Sequence, residues 1–434
     1  MRRWFRPRTA LRRGSAPPPA AQRTIHLNNG FQLLFNLLWW MPVFYTYQRA
    51  AGLSDAEVFG IQSIYYVTFC LFEVPTGMIA DRLGARASLA AGAVVMTAAN
   101  LTPVIAPSYT GFLVHFLAVA AGRSLTSGAS SAYLYDTLQE QGAGVHYVKA
   151  EGTARSLGLA AKVACWPLVG PLMGYVHEAP YVLSAASAAA SLGCVLALPR
   201  RAADGPPVRV RGGGRTVRRG GTLEALRILR GSPVLLLLMV QGVAVFTLAR
   251  LCQVNLFQPV LLHHGVGDGA HGAALAAMTV VEAATSARPQ LLGRRLFPAA
   301  WVSLLTVALA LTLAATTLRG PVTAVVLLCV FAGTTGLVYP VQRKLLNDAI
   351  PKGAPRATLL SVESILDRGV CALAAIAAGE YLAADRLDAL LWHSAVATCV
   401  LMAVLHPFLR RRGAPVAPVP PPVHAASGPP ARSM

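Results

Sequence analysis

Gly77-Met78-Ile79-Ala80-Asp81-Arg82-Leu83-Gly84-Ala85-Arg86 joins two apolar segments. Upstream, Val58 to Ile79 carries a single charge, Glu73; downstream, Ser88 to Ala106 carries none. Each segment is long enough to cross a hydrocarbon core about 30 Å thick as a helix rising about 1.5 Å per residue. The quoted stretch is therefore a short loop that turns one membrane helix into the next. Gly77 and Gly84 permit a tight reversal, and Asp81, Arg82 and Arg86 stand where charge meets the membrane surface.

The rest of the chain has the same character. Of its 434 residues, 55% are hydrophobic and 13% charged, about half the charged share of a soluble domain. Long apolar runs at this density specify an all-α polytopic membrane protein. A formal charge of +20 is compatible with nucleic-acid binding. The arginines, however, cluster at the ends of the apolar runs and in the linkers between them. The positive-inside rule expects that placement, so the partner is a lipid bilayer and no nucleic acid is expected. The seven cysteines all lie within apolar stretches without Cys-x-x-Cys spacing, and they read as small buried residues with neither metal nor disulfide role.

In chain order, residues 1–26 read as a basic, disordered cytoplasmic arm with seven arginines and the Pro17-Pro18-Pro19 run. Residues 27–198 hold six spans. The first covers Leu27 to Tyr47 with a kink at Pro42, the fourth Gly111 to Leu134, the fifth Thr153 to Val176, and a polar connector runs from Tyr135 to Glu151. Residues 199–231 hold nine arginines, Pro206-Pro207 and Gly212-Gly213-Gly214, and read as a flexible cytoplasmic linker. Six further spans fill 232–409, near 233–262, 271–291, 299–318, 321–344, 357–383 and 387–408. Arg343 and Lys344 fall in a cytoplasmic loop on this reading. Residues 410–434 form a Pro-rich disordered tail. Basic and weakly charged loops alternate, which puts both termini in the cytoplasm of a multi-pass plasma-membrane protein.

A charge at mid-membrane costs at least about 2.5–3.5 kcal/mol on insertion scales, so each one is a functional candidate. Glu73 ranks first as a proton or cation site: it sits one helical turn before Gly77 and two residues before Pro75. Arg123 in the fourth span and Lys162 in the fifth are next, against a structural reading as paired or snorkelling cations. Arg250 and Glu282 lie well inside the seventh and eighth spans. Glu363 and Asp367 share one face of the eleventh, either as a carboxylate site or as part of an ion-pair network at the gate. No phosphate-binding loop, nucleophile elbow or metal-spaced cluster is present, so no enzyme, ATP-driven pump or metal site is expected, and there are no catalytic residues to name.

Gly77, Ala80, Asp81, Arg82, Gly84, Arg86 and Leu89 resemble the signature loop between the second and third helices of the major facilitator superfamily. Ile79 and Ala85 depart from that pattern. The resemblance implies twelve transmembrane helices in two six-helix pseudo-symmetric halves, moving by alternating access around a site near mid-membrane. It also implies that Asp81 locks the cytoplasmic gate against the eleventh helix. Arg123 partly matches the family's fourth-helix Arg-x-x-x-Gly, with Gly128 one place late. Gly170-Pro171-Leu172-Met173-Gly174 resembles part of the fifth-helix motif of the family's antiporters, and Pro171 is expected to bend that helix. The functional expectation is a monomeric secondary transporter of the bacterial drug or metabolite efflux branch. It would export a small, fairly apolar molecule and use no cofactor beyond an ion gradient, most simply protons. A nutrient symporter and a non-transporting receptor on the same fold are the alternatives.

Overall fold

The computed structural model describes residues 16–200, 227–288, 297–318, 320–351 and 356–412, and every regular element there is helical. In the first half these are α1 (Pro19–Asn36), α2 (Phe44–Ala50), α3 (Asp55–Leu83), α4 (Ala85–Ile105), α5 (Tyr109–Ser127), α6 (Ala129–Glu140), α7 (Tyr147–Cys165), α8 (Val169–Tyr175) and α9 (Ala179–Ala197). The second half holds α10 (Pro233–Arg250), α11 (Phe257–His263), α12 (Asp268–Ser286), α13 (Pro298–Ala315), α14 (Pro321–Ala349), α15 (Arg356–Ala383) and α16 (Leu387–Arg412). Paired end to end, α1–α2, α5–α6, α7–α8 and α10–α11 act as single passages, so the described residues fit six passes in each half. Eight passages are long and apolar enough to span a membrane by length and composition alone. The other four, 19–50, 55–83, 268–286 and 356–383, each carry polar side chains into the space between the halves.

Local chemistry sets the helix ends. Ser54 and Glu57 form a reciprocal capping box at the start of α3: the Ser54 N–H donates to Glu57 Oε2 at 2.8 Å, and the Glu57 N–H donates back to Ser54 Oγ at 3.3 Å. Asp55 and Glu57 thus stand in the first turn of a helix, where acidic residues suit its positive end. At the other end α3 runs through Gly77 to Leu83, and α4 begins at Ala85. The reversal is left to Gly84 alone, at φ 86°, a left-handed backbone that a side chain disfavours. Gly77 is thus helical and not part of the turn.

Several boundaries differ from the sequence reading. Helix α1 starts at Pro19, inside the arm expected to be disordered, because proline suits the first helical turn; residues 1–15 lie outside the described residues. The break in the first passage spans Leu37–Val43, wider than a kink at Pro42. The polar connector after the fourth span shrinks to residues 141–146, since α6 continues to Glu140 and α7 begins at Tyr147. In the fifth passage the irregular turn is Trp166–Leu168, ahead of Pro171. Pro167 sits in that turn, and Pro171 has no N–H to offer the Pro167 carbonyl, so the helix loosens one turn before the expected bend. Helix α14 runs to Ala349, which puts Arg343 and Lys344 in a helix instead of a loop. Helix α16 reaches Arg412. The linker 201–226 and the tail beyond Arg412 lie outside the described residues.

With an even number of passages, the start of α1 and the end of α16 lie on one side of the layer, here called the terminal side. On the far side the halves meet closely. A Cβ on Gly272 of α12 would overlap the Trp166 carbonyl, and one on Gly170 of α8 would overlap the Gly269 backbone. A Cβ on Gly379 of α15 would come within 3.0 Å of Phe59 Cβ in α3. Gln258 of α11 completes the seal: its Oε1 accepts the Tyr45 N–H at 3.1 Å, and its Nε2 donates to the Met41 carbonyl at 3.2 Å. These polar contacts satisfy backbone groups left open where the first passage unwinds. Outward-facing residues such as Leu71 and Leu373, 66% and 69% exposed, form the apolar surface that lipid covers.

Candidate functional site

Between the halves lie two adjoining chambers, of about 300 Å³ and 660 Å³. Met41, Lys162, Trp166 and Val254 line both and form their common wall. The first chamber is bounded by α1, the unwound segment, α3 and α5 on one flank and by α10, its continuation and α15 on the other. Its lining is aromatic, with Trp40, Tyr65, Tyr66, Phe69 and Phe116. The second chamber runs towards the terminal side between α7, α12 and α14, where Arg155, Ser156, Ser286 and Ala287 are exposed. The cavity is thus closed on the far side and reachable from the terminal side.

The seventh passage owes its site residues to a local irregularity. Between α10 and α11, Leu251–Leu256 is a π-helical turn, a feature frequent at functional sites because it re-aims side chains and frees backbone groups. Arg250 enters the first chamber just before this turn, and Gln253 enters the second from within it. The Gln253 Nε2 donates to Glu282 Oε2 at 3.0 Å. Asn255, on the same turn, faces the Tyr66 hydroxyl at 3.4 Å.

The structure brings together five of the seven charged candidates. Arg123, Lys162 and Arg250 line the first chamber; Lys162 and Glu282 line the second. Asp367 lies behind Arg250, its Oδ2 2.8 Å from Arg250 Nη2, and its Oδ1 accepts from the Thr247 hydroxyl at 3.4 Å. Glu363 does not form an open carboxylate pair with Asp367. Its Oε2 lies 2.7 Å from Arg343 Nη1, and the Arg343 guanidinium in turn sits 4.7 Å from the centre of the Phe246 ring. Each carboxylate on that face of α15 therefore has its own arginine, from α14 or α10. Glu73 is half-buried and is not among the residues lining either chamber. It lies on the α3–α15 seam within electrostatic reach of Arg368, whose guanidinium stacks 3.7 Å from the Phe69 ring centre.

The signature stretch divides in the structure. The side chains of Gly77, Asp81 and Arg82 lie outside the described residues, and so does the expected lock on the gate. Gly84 makes the turn. Arg86 ties its own half together: its Nε and Nη2 donate to the Val195 and Leu196 carbonyls at 3.2 Å and 2.7 Å, closing the end of α9. Of the fifth-helix residues, Gly170 lies in the far-side seal, Pro171 follows the irregular turn, and Gly174 has nothing within 4 Å of where a Cβ would stand.

Sequence reasoning did not single out Arg155, Gln253, Gln258, Gln62 or Arg343. Arg343 stood in an expected cytoplasmic loop, where a basic residue needs no special explanation. The glutamines carry no charge and left apolar runs intact, though an amide inside a span is itself a usable signal.

The sequence profile of the Major Facilitator Superfamily matches residues 30–375. No curated protein sequence matched the chain. Among solved structures it is similar to a mutant of the nucleoside transporter NupG, with a TM-score of 0.74 at 15% identity over 89% of this chain and 99% of that one. It is also similar to a POT family transporter in complex with a thioalcohol-conjugated peptide, at 0.68 and 12% over 90% and 95%. A bacterial homologue of the human lysosomal transporter Spinster, in an inward-facing and unoccupied conformation, gives 0.64 and 16% over 91% and 97%. These likenesses concern the fold. With the family profile spanning both halves and the cavity between them, the chain belongs to the major facilitator superfamily.

Proposed function

We propose that this protein is a proton-coupled secondary exporter in the plasma membrane, acting as a monomer with both termini in the cytoplasm. Its substrate is a small molecule with a substantial apolar, aromatic body. The observation that carries this reading is the cavity between the halves, sealed at the far side and reachable from the terminal side. A substrate entering from the terminal side would be released on the other face once the seal opens and the terminal side closes. The aromatic lining suits a flat apolar body. Export as the direction is supported by the partial antiporter motif, whose Gly170 stands in that seal.

Glu282 is the only carboxylate among the residues lining the two chambers, and it takes the place Glu73 held on sequence as first candidate for the proton carrier. A carboxylate that meets substrate and solvent in turn can exchange a proton between the two faces as the cavity alternates.

Sealed proteoliposomes with an internal pH dye test this reading. Substrate added on the terminal side should evoke proton movement opposite to its own. Glu282→Gln should abolish proton movement while leaving substrate exchange across the membrane, and Glu73→Gln should keep both. Proton movement in the same direction as substrate would make the protein a symporter. Full proton coupling in Glu282→Gln would remove that residue from the path.

A further inference from the structure

We infer that the substrate is an organic anion whose acidic group is held by Arg123 of α5 and Lys162 of α7, with its aromatic body against the rings of the first chamber. The inference deepens the transport reading above and rests on it.

Six cationic side chains line the two chambers, Arg123, Arg155, Lys162, Arg250, Arg343 and Arg368, against one carboxylate, Glu282. Asp367 neutralises Arg250 and Glu363 neutralises Arg343. Arg368 is stacked on Phe69, and Arg155 is exposed at the terminal-side mouth. Arg123 and Lys162 remain, half-buried, with no carboxylate within ion-pair distance among the described residues. Lys162 lies 5.6 Å from the Trp166 ring centre. Lys162 is repelled electrostatically by Arg123 first and by Arg155 next, and the attraction of Glu282 across the second chamber is smaller than either. Two like charges facing one low-dielectric space are costly unless an anion joins them there.

A second observation is independent of these charges. Gln62 of α3 is 2% exposed and lines the first chamber, and its Nε2 has no hydrogen-bond partner among the described residues. Arg250 Nε, on the opposite wall, is likewise buried without a partner. Both unsatisfied atoms are donors. A buried donor without an acceptor is destabilising, so a chamber whose orphan groups are all donors is complementary to an acceptor-rich group such as a carboxylate, sulfonate or phosphate ester. Charged hydrogen bonds from a guanidinium and an ammonium would hold that group. A lipophilic cation would meet the same donors unfavourably.

The test is equilibrium binding to the full-length protein in phosphatidylcholine nanodiscs, which supply no competing anionic lipid. The probes are radiolabelled naphthoate, naphthylmethanol and naphthylmethylammonium, which share one ring system and differ in charge. Naphthoate should bind at least about tenfold more tightly than the other two, and Arg123→Gln and Lys162→Gln should each weaken it about tenfold. The double reversal Arg123→Glu with Lys162→Glu should prefer the ammonium, a gain that misfolding cannot produce. Equal or tighter binding of the alcohol or the ammonium to the native protein overturns the inference. So does the absence of saturable naphthoate binding, or an unchanged affinity in both single variants. Binding is read here without transport. Loss of the anion preference therefore removes this substrate class and leaves the transport reading standing, whereas tight naphthoate binding without flux removes the transport reading.

Discussion

In the second half Arg250 meets Asp367 at 2.8 Å and Arg343 meets Glu363 at 2.7 Å, whereas in the first half Arg123 and Lys162 face the shared cavity with no ion pair among the described residues, Glu282 acting on Lys162 only from across the second chamber. One flank spends its buried charges on internal pairs that brace α10, α14 and α15 against one another. The other leaves its charges open to whatever occupies the cavity. Paired charges in a low-dielectric interior stabilise geometry, and unpaired ones are a standing cost that a ligand of opposite sign relieves. The contrast distinguishes wall from site more sharply than the count of intramembrane charges does.

Removing one partner of a braced pair should have the largest effect. Asp367→Asn leaves the half-buried Arg250 without its counter-charge and should cost about 3 kcal/mol, read as a large fall in the midpoint of thermal unfolding in detergent. Glu363→Gln should cost about as much, because the Arg343 and Arg250 side chains are almost equally exposed, 37% and 32%. An Asp367→Asn protein as stable as the native one would end the description of the second half as a braced wall.

Next comes the far-side seal. Gly272→Val forces α12 away from the Trp166 carbonyl and should cost about 2 kcal/mol in the closed arrangement. That shifts the population towards states open on the far side by more than tenfold. The readout is far-side labelling of a cysteine placed at Val254, in a background without the native cysteines. Unchanged labelling would mean that the close backbone approach is not the seal. Gln258→Ala removes its contacts with the Tyr45, Thr46 and Met41 backbone from the same seal and should cost about 1 kcal/mol, with a smaller rise in labelling.

The smallest stability effect should come from the unpaired cations. Arg123→Gln or Lys162→Gln should change stability by no more than about 0.5 kcal/mol, or raise it, since neither forms an ion pair among the described residues. A strongly destabilised Arg123→Gln would show that this arginine belongs to the protein's internal bracing, and the contrast between the halves would collapse.

Much of this architecture could be read along the chain. Ser88 to Ala106 has no charge, and only one structure satisfies the backbone of such a run in lipid, so α4 followed from composition. Gly84 marked a reversal because it stood between two such runs beside charged residues. Arg123, Lys162, Arg250 and Glu282 stood out for the same reason, since a charge inside an apolar run is conspicuous, and all four line the cavity. Glu73 was equally conspicuous and faces the α3–α15 seam instead. A rotation of about 100° per residue decides which way a helical side chain points, and nothing local to Glu73 sets the rotation of α3 against its neighbours.

Hydropathy, charge placement and the signature stretch by themselves determined a polytopic helical protein of two halves, because lipid leaves the backbone no alternative and each segment reports its own transfer energy. Which charges pair was decided only by tertiary structure. Arg250 finds Asp367 across 117 positions of chain, Gln258 reaches back 213 residues to the Tyr45 N–H, and Arg123 faces Lys162 because α5 and α7 turn those side chains into one chamber. Such pairings are fixed by helix packing between distant segments, whose energies depend on close contacts that no single stretch of sequence contains.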